Sequence, residues 1–187
     1  MRTIVDIDVL GDAVLQARIT RWSVAILVAG LALAVVVGML AGVGPRGLLD
    51  PWWWLALAAG SLAALPAHEL VHAVAFKLAC PGCRVSFGHQ DAFLYTRTDG
   101  ACATRARMVC VLLAPAVVVT GALAAIALVA GRPVLAVLLA FVHLSGSSGD
   151  LLMACETLRE SACTHVRDTE FGITLLSDID SDHEEAS

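Results

Sequence analysis

The chain has 187 residues, of which 58% are hydrophobic and 16% are charged, and its mean hydropathy is +0.80. Soluble domains are closer to half apolar, so this composition excludes an ordinary soluble domain and indicates a single-domain integral membrane protein in a lipid bilayer. The net charge of −5, without a dominant basic patch, argues against a nucleic-acid partner.

The predicted elements begin with residues 1–21, which mix apolar and acidic residues and are expected to be cytoplasmic or interfacial. Four apolar segments follow, each about the 20 residues needed to cross a hydrocarbon core. They cover 22–43, 51–78, 108–130 and 133–154. Residues 156–187 form a cytoplasmic acidic tail that is expected to be partly disordered. The predicted fold class is therefore an all-α polytopic membrane protein, with about four transmembrane helices in a domain over 22–155.

The basic residues of the sequence predict how the chain is oriented. Most of them lie in the N-terminal segment, in or beside the long loop 79–107, and after the fourth apolar segment, whereas each short loop holds one arginine. Cytoplasmic loops of membrane proteins carry an excess of lysine and arginine. We therefore expect a multi-pass protein of a prokaryotic plasma membrane, with both termini and the long loop in the cytoplasm.

The long loop contains two segments with partial strand character, 84–88 and 92–96, which predict a short cytoplasmic β-hairpin. The edge of this hairpin could hold an extended substrate by strand addition, or the hairpin could be an ordinary surface element. Cys80 and Cys83 flank a Pro-Gly pair just before it. A helix-ending turn is favoured there over a redox or zinc site, because a second C-x-x-C is missing.

His68, Glu69 and His72 spell H-E-x-x-H inside the second apolar segment. Ionisable side chains within a membrane span are costly, so they mark functional sites by default. The spacing of the histidines places both imidazoles on one helix face, where they can share a zinc ion. The glutamate between them is placed to act as a base on a metal-activated water. A pair of satisfied core histidines is the alternative.

A catalytic zinc site needs at least three protein ligands, and Asp150 is the best remaining candidate because it is the only carboxylate within the other three spans. His68 lies about 17 residues past the start of its span, and Asp150 lies about 17 residues past the start of the fourth, which puts both roughly 25 Å below the outer surface. The two side chains can therefore meet if the spans are parallel. A helix-end carboxylate at the cytoplasmic interface is the alternative.

His143 precedes Asp150 by two helical turns, on roughly the same face of the fourth span. It could be a fourth ligand, a donor that stabilises an oxyanion, or a histidine hydrogen-bonded to a neighbouring helix. The small residues between the two, 145–149, would permit either a close helix approach or a locally unwound segment that admits water.

These motifs resemble those of the site-2 protease class of intramembrane zinc metalloproteases. More closely, the H-E-x-x-H of one span and the Gly-Asp pair of a later span resemble a family of small polytopic zincin membrane peptidases from bacteria and archaea. The resemblance covers roughly 61–154. It implies His68, His72 and Asp150 as zinc ligands and Glu69 as the general base. The chain departs from typical site-2 proteases in one respect, because Ser-Gly-Asp-Leu stands where they have Leu-Asp-Gly.

The predicted function is a zinc-dependent, membrane-embedded endopeptidase that cuts a membrane protein or peptide within or beside the membrane. The alternatives are a non-catalytic metal-binding membrane protein, as a scaffold or pseudoprotease, and a metal-ion transporter, which is less favoured. The glutamate at 69 argues against a dead enzyme, and a single ligand cluster at one depth argues against a permeation path. The substrate, the cleavage position, the regulator and the oligomeric state are left open by the sequence.

Overall fold

A computed structural model describes residues 1–43, 50–90 and 93–178. Within these ranges the helices are α1 (Ala13–Leu40), α2 (Pro51–Ala79), α3 (Arg105–Val129), α4 (Pro133–Gly146) and α5 (Ser148–Arg159). The strands are β1 (Arg2–Asp8), β2 (Val85–Gln90), β3 (Phe93–Thr98), β4 (Cys102–Thr104), β5 (His165–Asp168) and β6 (Gly172–Ser177).

Three of these helices, α1, α2 and α3, are each long and apolar enough to cross a membrane. The predicted fourth span, 133–154, is instead the two helices α4 and α5, which are bent by 59° at a short break. The described residues therefore contain three candidate spans, or four if the bent pair crosses as one. Large apolar side chains such as Leu31, Leu62 and Val129 are exposed on the helices, as they are on surfaces that face lipid.

The starts of the first two helices are set by aspartate caps. α1 begins at Ala13, nine residues before the predicted start at Trp22, because the Asp12 carboxylate accepts hydrogen bonds from two backbone N–H groups of the first turn, at 2.8 and 3.1 Å. α2 begins at Pro51, and the Asp50 carboxylate accepts from a first-turn N–H at 3.0 Å. A cap therefore extends the first helix into the segment that was expected to precede it.

The described chain is mostly helical, as predicted, but it also contains a four-stranded antiparallel sheet that the prediction did not include. The strand order is β1-β6-β5-β4, so the sheet joins the N-terminal segment, the end of the long loop and the chain after α5. Ile173 and Leu175 alternate along β6 and are both 1% exposed, as expected for a sheet with one face packed on the core. Most of these pairings are distant in sequence, such as Val5 with Leu175, so local patterns do not reveal them.

The hairpin predicted in the long loop is present. β2 and β3 pair antiparallel, with Val85 opposite Thr98 at the open end, and the tip at 91–92 lies outside the described residues. The last two strands of the other sheet lie within the predicted tail, 156–187, and the acidic end at 179–187 is also outside the described residues.

The buried core consists of two clusters. One lies between the helices and the four-stranded sheet, around Met108, Leu152 and Val166, which are each at most 1% exposed. The other joins the helices near the opposite end, around Trp53 and Leu135. The first cluster fixes the sheet against the helix ends and places the sheet beside the ionisable residues of α2 and α5.

Candidate metal centre

His68, His72 and Asp150 come together between two helices. The two histidines are one turn apart on the same face of α2, and Asp150 lies in the first turn of α5. The Nε2 atoms of His68 and His72 are 3.0 and 3.4 Å from one oxygen, Oδ2 of Asp150. Among the described residues, these three form the one group whose ligand atoms are near enough, all within 4.8 Å of one another, to hold a metal ion.

The break between α4 and α5 brings the carboxylate to this position. Ser147 is 1% exposed at the break, and both its backbone N–H and its hydroxyl donate to the carbonyl oxygen of His143 at 3.0 Å. On the other side, the Ser23 hydroxyl of α1 lies 2.7 Å from the Ser145 hydroxyl and donates to the Ser145 carbonyl oxygen at 2.9 Å. The small residues therefore form a hydrogen-bonded break in the helix, which the sequence left open as one of two possibilities.

The donor atoms fit a zinc ion. Zinc holds nitrogen and oxygen ligands at about 2.0–2.2 Å in a tetrahedral array, which separates neighbouring ligand atoms by roughly 3.3–3.6 Å. The separations of the two imidazole nitrogens from the Asp150 oxygen, 3.0 and 3.4 Å, are close to that range, and all three ligand atoms lie within 4.8 Å of one another. Two imidazole nitrogens and one carboxylate oxygen are also the ligand types of a catalytic zinc site, which keeps a fourth position for water or substrate.

Glu69 lies between the histidines in sequence and lines the same cavity as they do. The cavity has a volume of about 450 Å³. Its walls come from α2, α5, β3 and the turn between β5 and β6. Besides the three candidate ligands and Glu69, its lining includes Val9, Leu10, Tyr95, Thr96, Thr169, Glu170 and Phe171. The candidate ligands and the candidate base thus face one space large enough for part of a peptide.

The hairpin is attached directly to the helix that carries the motif. The Thr96 hydroxyl of β3 donates to the backbone carbonyl oxygen of Glu69 at 2.9 Å. This contact holds β3 beside the cavity, next to the candidate base. Thr96 carries no local pattern that would have singled it out in the sequence.

The hairpin is also joined to the four-stranded sheet beside the cavity. The backbone N–H and the hydroxyl of Thr98 donate to Oδ2 of Asp168 at 2.8 and 2.6 Å, in a buried contact. Burial raises the pKa of the Asp168 carboxyl, although the hydrogen bonds from Thr98 act in the opposite direction. Arg97 and Glu170 add an exposed ion pair at 2.8 Å. The cavity is therefore lined by segments of two sheets that are connected to each other.

His143 lies behind the ligand cluster. Its Nε2 is 3.2 Å from Nδ1 of His68, and its Nδ1 is 2.8 Å from the hydroxyl of Thr120 on α3. Of the three roles that the sequence left open, this arrangement is that of a histidine hydrogen-bonded to a neighbouring helix. The group of residues that could hold a metal does not include it.

The turn at Cys80 and Cys83 ends α2. Both thiols are free, Cys80 is the C-terminal cap, and Gly82 has a positive φ of 96° that favours glycine. Burial raises the pKa of the Cys83 thiol, which disfavours the reactive thiolate. The predicted helix-ending turn agrees with this geometry.

The apolar helices are consistent with a membrane protein, and the cluster of two histidines and one carboxylate is a candidate metallopeptidase centre. Residues 61–164, more than half of the chain, match the family described as "Putative zincin peptidase", so the chain belongs to that family. The matched range contains the H-E-x-x-H motif, the hairpin, His143 and Asp150. No curated protein and no solved structure matches the chain.

Proposed function

We propose that this protein is a zinc-dependent, membrane-embedded endopeptidase that cuts a membrane protein or peptide within or beside the bilayer. One observation carries the proposal: His68, His72 and Asp150 converge on one point of a cavity that Glu69 also lines. Membership of a zincin peptidase family agrees with that chemistry.

Each of the four residues has a distinct task in this proposal. His68, His72 and Asp150 hold the zinc ion, which supplies Lewis acidity that polarises a carbonyl group and acidifies water. Glu69 is not one of the three converging ligands, and its carboxylate takes a proton from the attacking water and delivers it to the leaving amine. Proton transfer of this kind typically contributes about 10²–10⁴-fold to the rate.

The proposed orientation places both termini and the long loop in the cytoplasm of a prokaryotic cell. The basic-residue asymmetry supports the cytoplasmic side. The four-stranded sheet supports placing both termini and the long loop on the same side of the membrane. Its strand β1 comes from the N-terminal segment, β4 from the long loop and β6 from the C-terminal segment. In this proposal α4 and α5 cross the membrane as one bent unit. The resulting even number of spans agrees with the distribution of basic residues and with the sheet.

We also propose that the protein resembles site-2 proteases in cutting a substrate that is extended rather than helical. A peptide bond within a helix is shielded by the helix, so a substrate must be extended before it is cut. β3 pairs with β2 among the described strands, and its Thr96 side chain is fixed to Glu69. Strand addition along the β3 edge would hold an extended substrate beside the candidate base.

The test compares wild-type protein with Glu69→Gln, co-expressed with a panel of single-span membrane proteins. Glu69→Gln keeps the size of the side chain but cannot accept the proton, so we expect normal zinc content and cleavage reduced by about 10²–10⁴-fold. Glu160→Gln removes the same charge beyond the end of α5 and serves as the matched control.

Three results would separate the alternatives. Cleavage that disappears with Glu69→Gln and persists with Glu160→Gln supports the endopeptidase. Equal cleavage by wild type and Glu69→Gln places the activity elsewhere and refutes the assigned base. One zinc per chain without cleavage of any panel member favours the non-catalytic metal-binding protein.

A further inference from the structure

A chain of hydrogen-bonding atoms leads from the candidate zinc ligand His68 to a third helix. Nδ1 of His68, on α2, is 3.2 Å from Nε2 of His143, on α4. Nδ1 of His143 is 2.8 Å from Oγ1 of Thr120, on α3. His143 is 8% exposed, so this connection runs through the interior of the protein rather than along its surface.

The chemistry of imidazole determines which nitrogen donates and which accepts in each of these hydrogen bonds. Nε2 of His68 faces Asp150 and must keep its lone pair free to bind a cation, so the proton of a neutral His68 belongs on Nδ1. That N–H can donate to His143 only if Nε2 of His143 is the acceptor. The proton of His143 then lies on Nδ1, from which it donates to the hydroxyl oxygen of Thr120.

We propose that His143 and Thr120 are positioning residues that fix the tautomer and ring orientation of His68, and so set the zinc affinity of the centre. The inference rests on the zinc site of the proposed function and assigns His143 a place outside the ligand set. Groups that hydrogen-bond the second nitrogen of a ligating histidine typically change metal affinity by about 10–100-fold when removed.

The location of the pair supports this role. His68 and His72 belong to the same motif, but the contact to His143 is made by His68 alone. His143 therefore constrains one ligand individually, and Thr120 constrains His143 from a helix that contributes no candidate ligand.

The test measures zinc affinity in the full-length protein in detergent, by competition with a chromogenic chelator. His143→Leu replaces the imidazole with an apolar side chain of similar size and so removes the acceptor. His143→Gln returns an acceptor oxygen near the position of Nε2. Thr120→Val removes only the distant hydroxyl, and Thr157→Val is its matched control, because Thr157 is a buried helical threonine whose hydroxyl bonds within its own helix.

We expect His143→Leu to weaken zinc binding by about 10–100-fold and His143→Gln to restore most of it. Thr120→Val removes a single neutral hydrogen bond to His143 and does not touch His68, so we expect zinc affinity to fall by only about 2–10-fold. In the His143→Leu background, the Thr120 substitution should add nothing further. Thr157→Val should leave zinc affinity unchanged.

Cobalt(II) gives a second readout that a merely structural role would not move. Its visible absorption follows the geometry of the ligands. His143→Leu and Thr120→Val should shift these bands, while His143→Gln and Thr157→Val should preserve the wild-type spectrum.

The possible outcomes are distinct. If wild-type protein binds no zinc, the proposed function fails and the inference fails with it. If wild type binds zinc and His143→Leu binds it equally well, only the inference is overturned. It is also overturned if His143→Gln restores nothing, or if X-ray absorption of saturated His143→Leu shows one imidazole fewer than wild type, since His143 would then be a ligand.

Discussion

Replacing Asp150 with asparagine tests the ligand that comes from outside the H-E-x-x-H motif. The substitution keeps the shape of the side chain and removes the negative charge. The Nε2 atoms of His68 and His72 both lie within 3.4 Å of one oxygen of this carboxylate, so Asp150 would supply one complete ligand of the zinc site. We expect the purified wild-type protein to hold about one zinc per chain and Asp150→Asn to hold far less.

The size of the effect follows from the ligand count. Four-ligand zinc sites in peptides bind with about 10–16 kcal/mol, so an equal share is about 2.5–4 kcal/mol per ligand. Loss of one ligand should therefore weaken binding by about 10²–10³-fold. Competition with a chelator measures the dissociation constant for zinc. A thermal unfolding curve recorded without added metal shows whether the variant is folded.

Asp99→Asn is the matched control, because Asp99 is an exposed carboxylate in the turn between β3 and β4. It should bind zinc as the wild type does. If Asp150→Asn also binds with the wild-type constant, the third ligand is another group, and the convergence of the three side chains is only an ion pair with two histidines.

Three further predictions concern topology, pH and packing. Reporter fusions after Ser187 and within the first short loop, 44–49, should report opposite sides of the membrane, and a common side would refute the four-span arrangement. Burial raises the pKa of Asp168 above its ordinary 3.8, so the folded protein retains this proton to higher pH than the unfolded chain. Stability should fall as pH rises through the folded-state pKa, and Asp168→Asn should flatten that part of a plot of unfolding midpoint against pH. A Cβ added at Gly30 would clash with the side chain of Phe141 on α4, so Gly30→Ala should lower the free energy of unfolding by about 1–3 kcal/mol in thermal unfolding, whereas Gly121→Ala, whose added Cβ has nothing within 4 Å, should not.

The sequence predicts the parts of this fold that depend on local composition. Apolar length marks α1, α2 and α3, and alternating residues mark the β2–β3 hairpin. Counting residues from the start of each span anticipates that His68 and Asp150 lie close together. Their roles as ligands stay predictions until metal is measured.

The rest of the fold depends on contacts that no local pattern contains. β1 pairs with β6, about 170 residues later, and a strand is stable only when such a partner lies beside it in the folded chain. Thr96 and the β5–β6 turn reach the cavity, and Thr120 reaches His143, only after the chain is folded. The bend at Ser147 is likewise set by contacts with α1 and with the preceding turn.

The bend at Ser147 explains how a carboxylate can be placed among apolar helices. In a continuous helix, Asp150 would lie well past the first turn, where the backbone N–H groups are already bonded to carbonyl oxygens. The break makes it a first-turn residue of α5, where free N–H groups and the helix dipole favour a negative charge. Two histidines from α2 then face the same carboxylate, and segments of both sheets line the cavity. The break between α4 and α5 is thus the feature that makes a charged centre tolerable among these apolar helices.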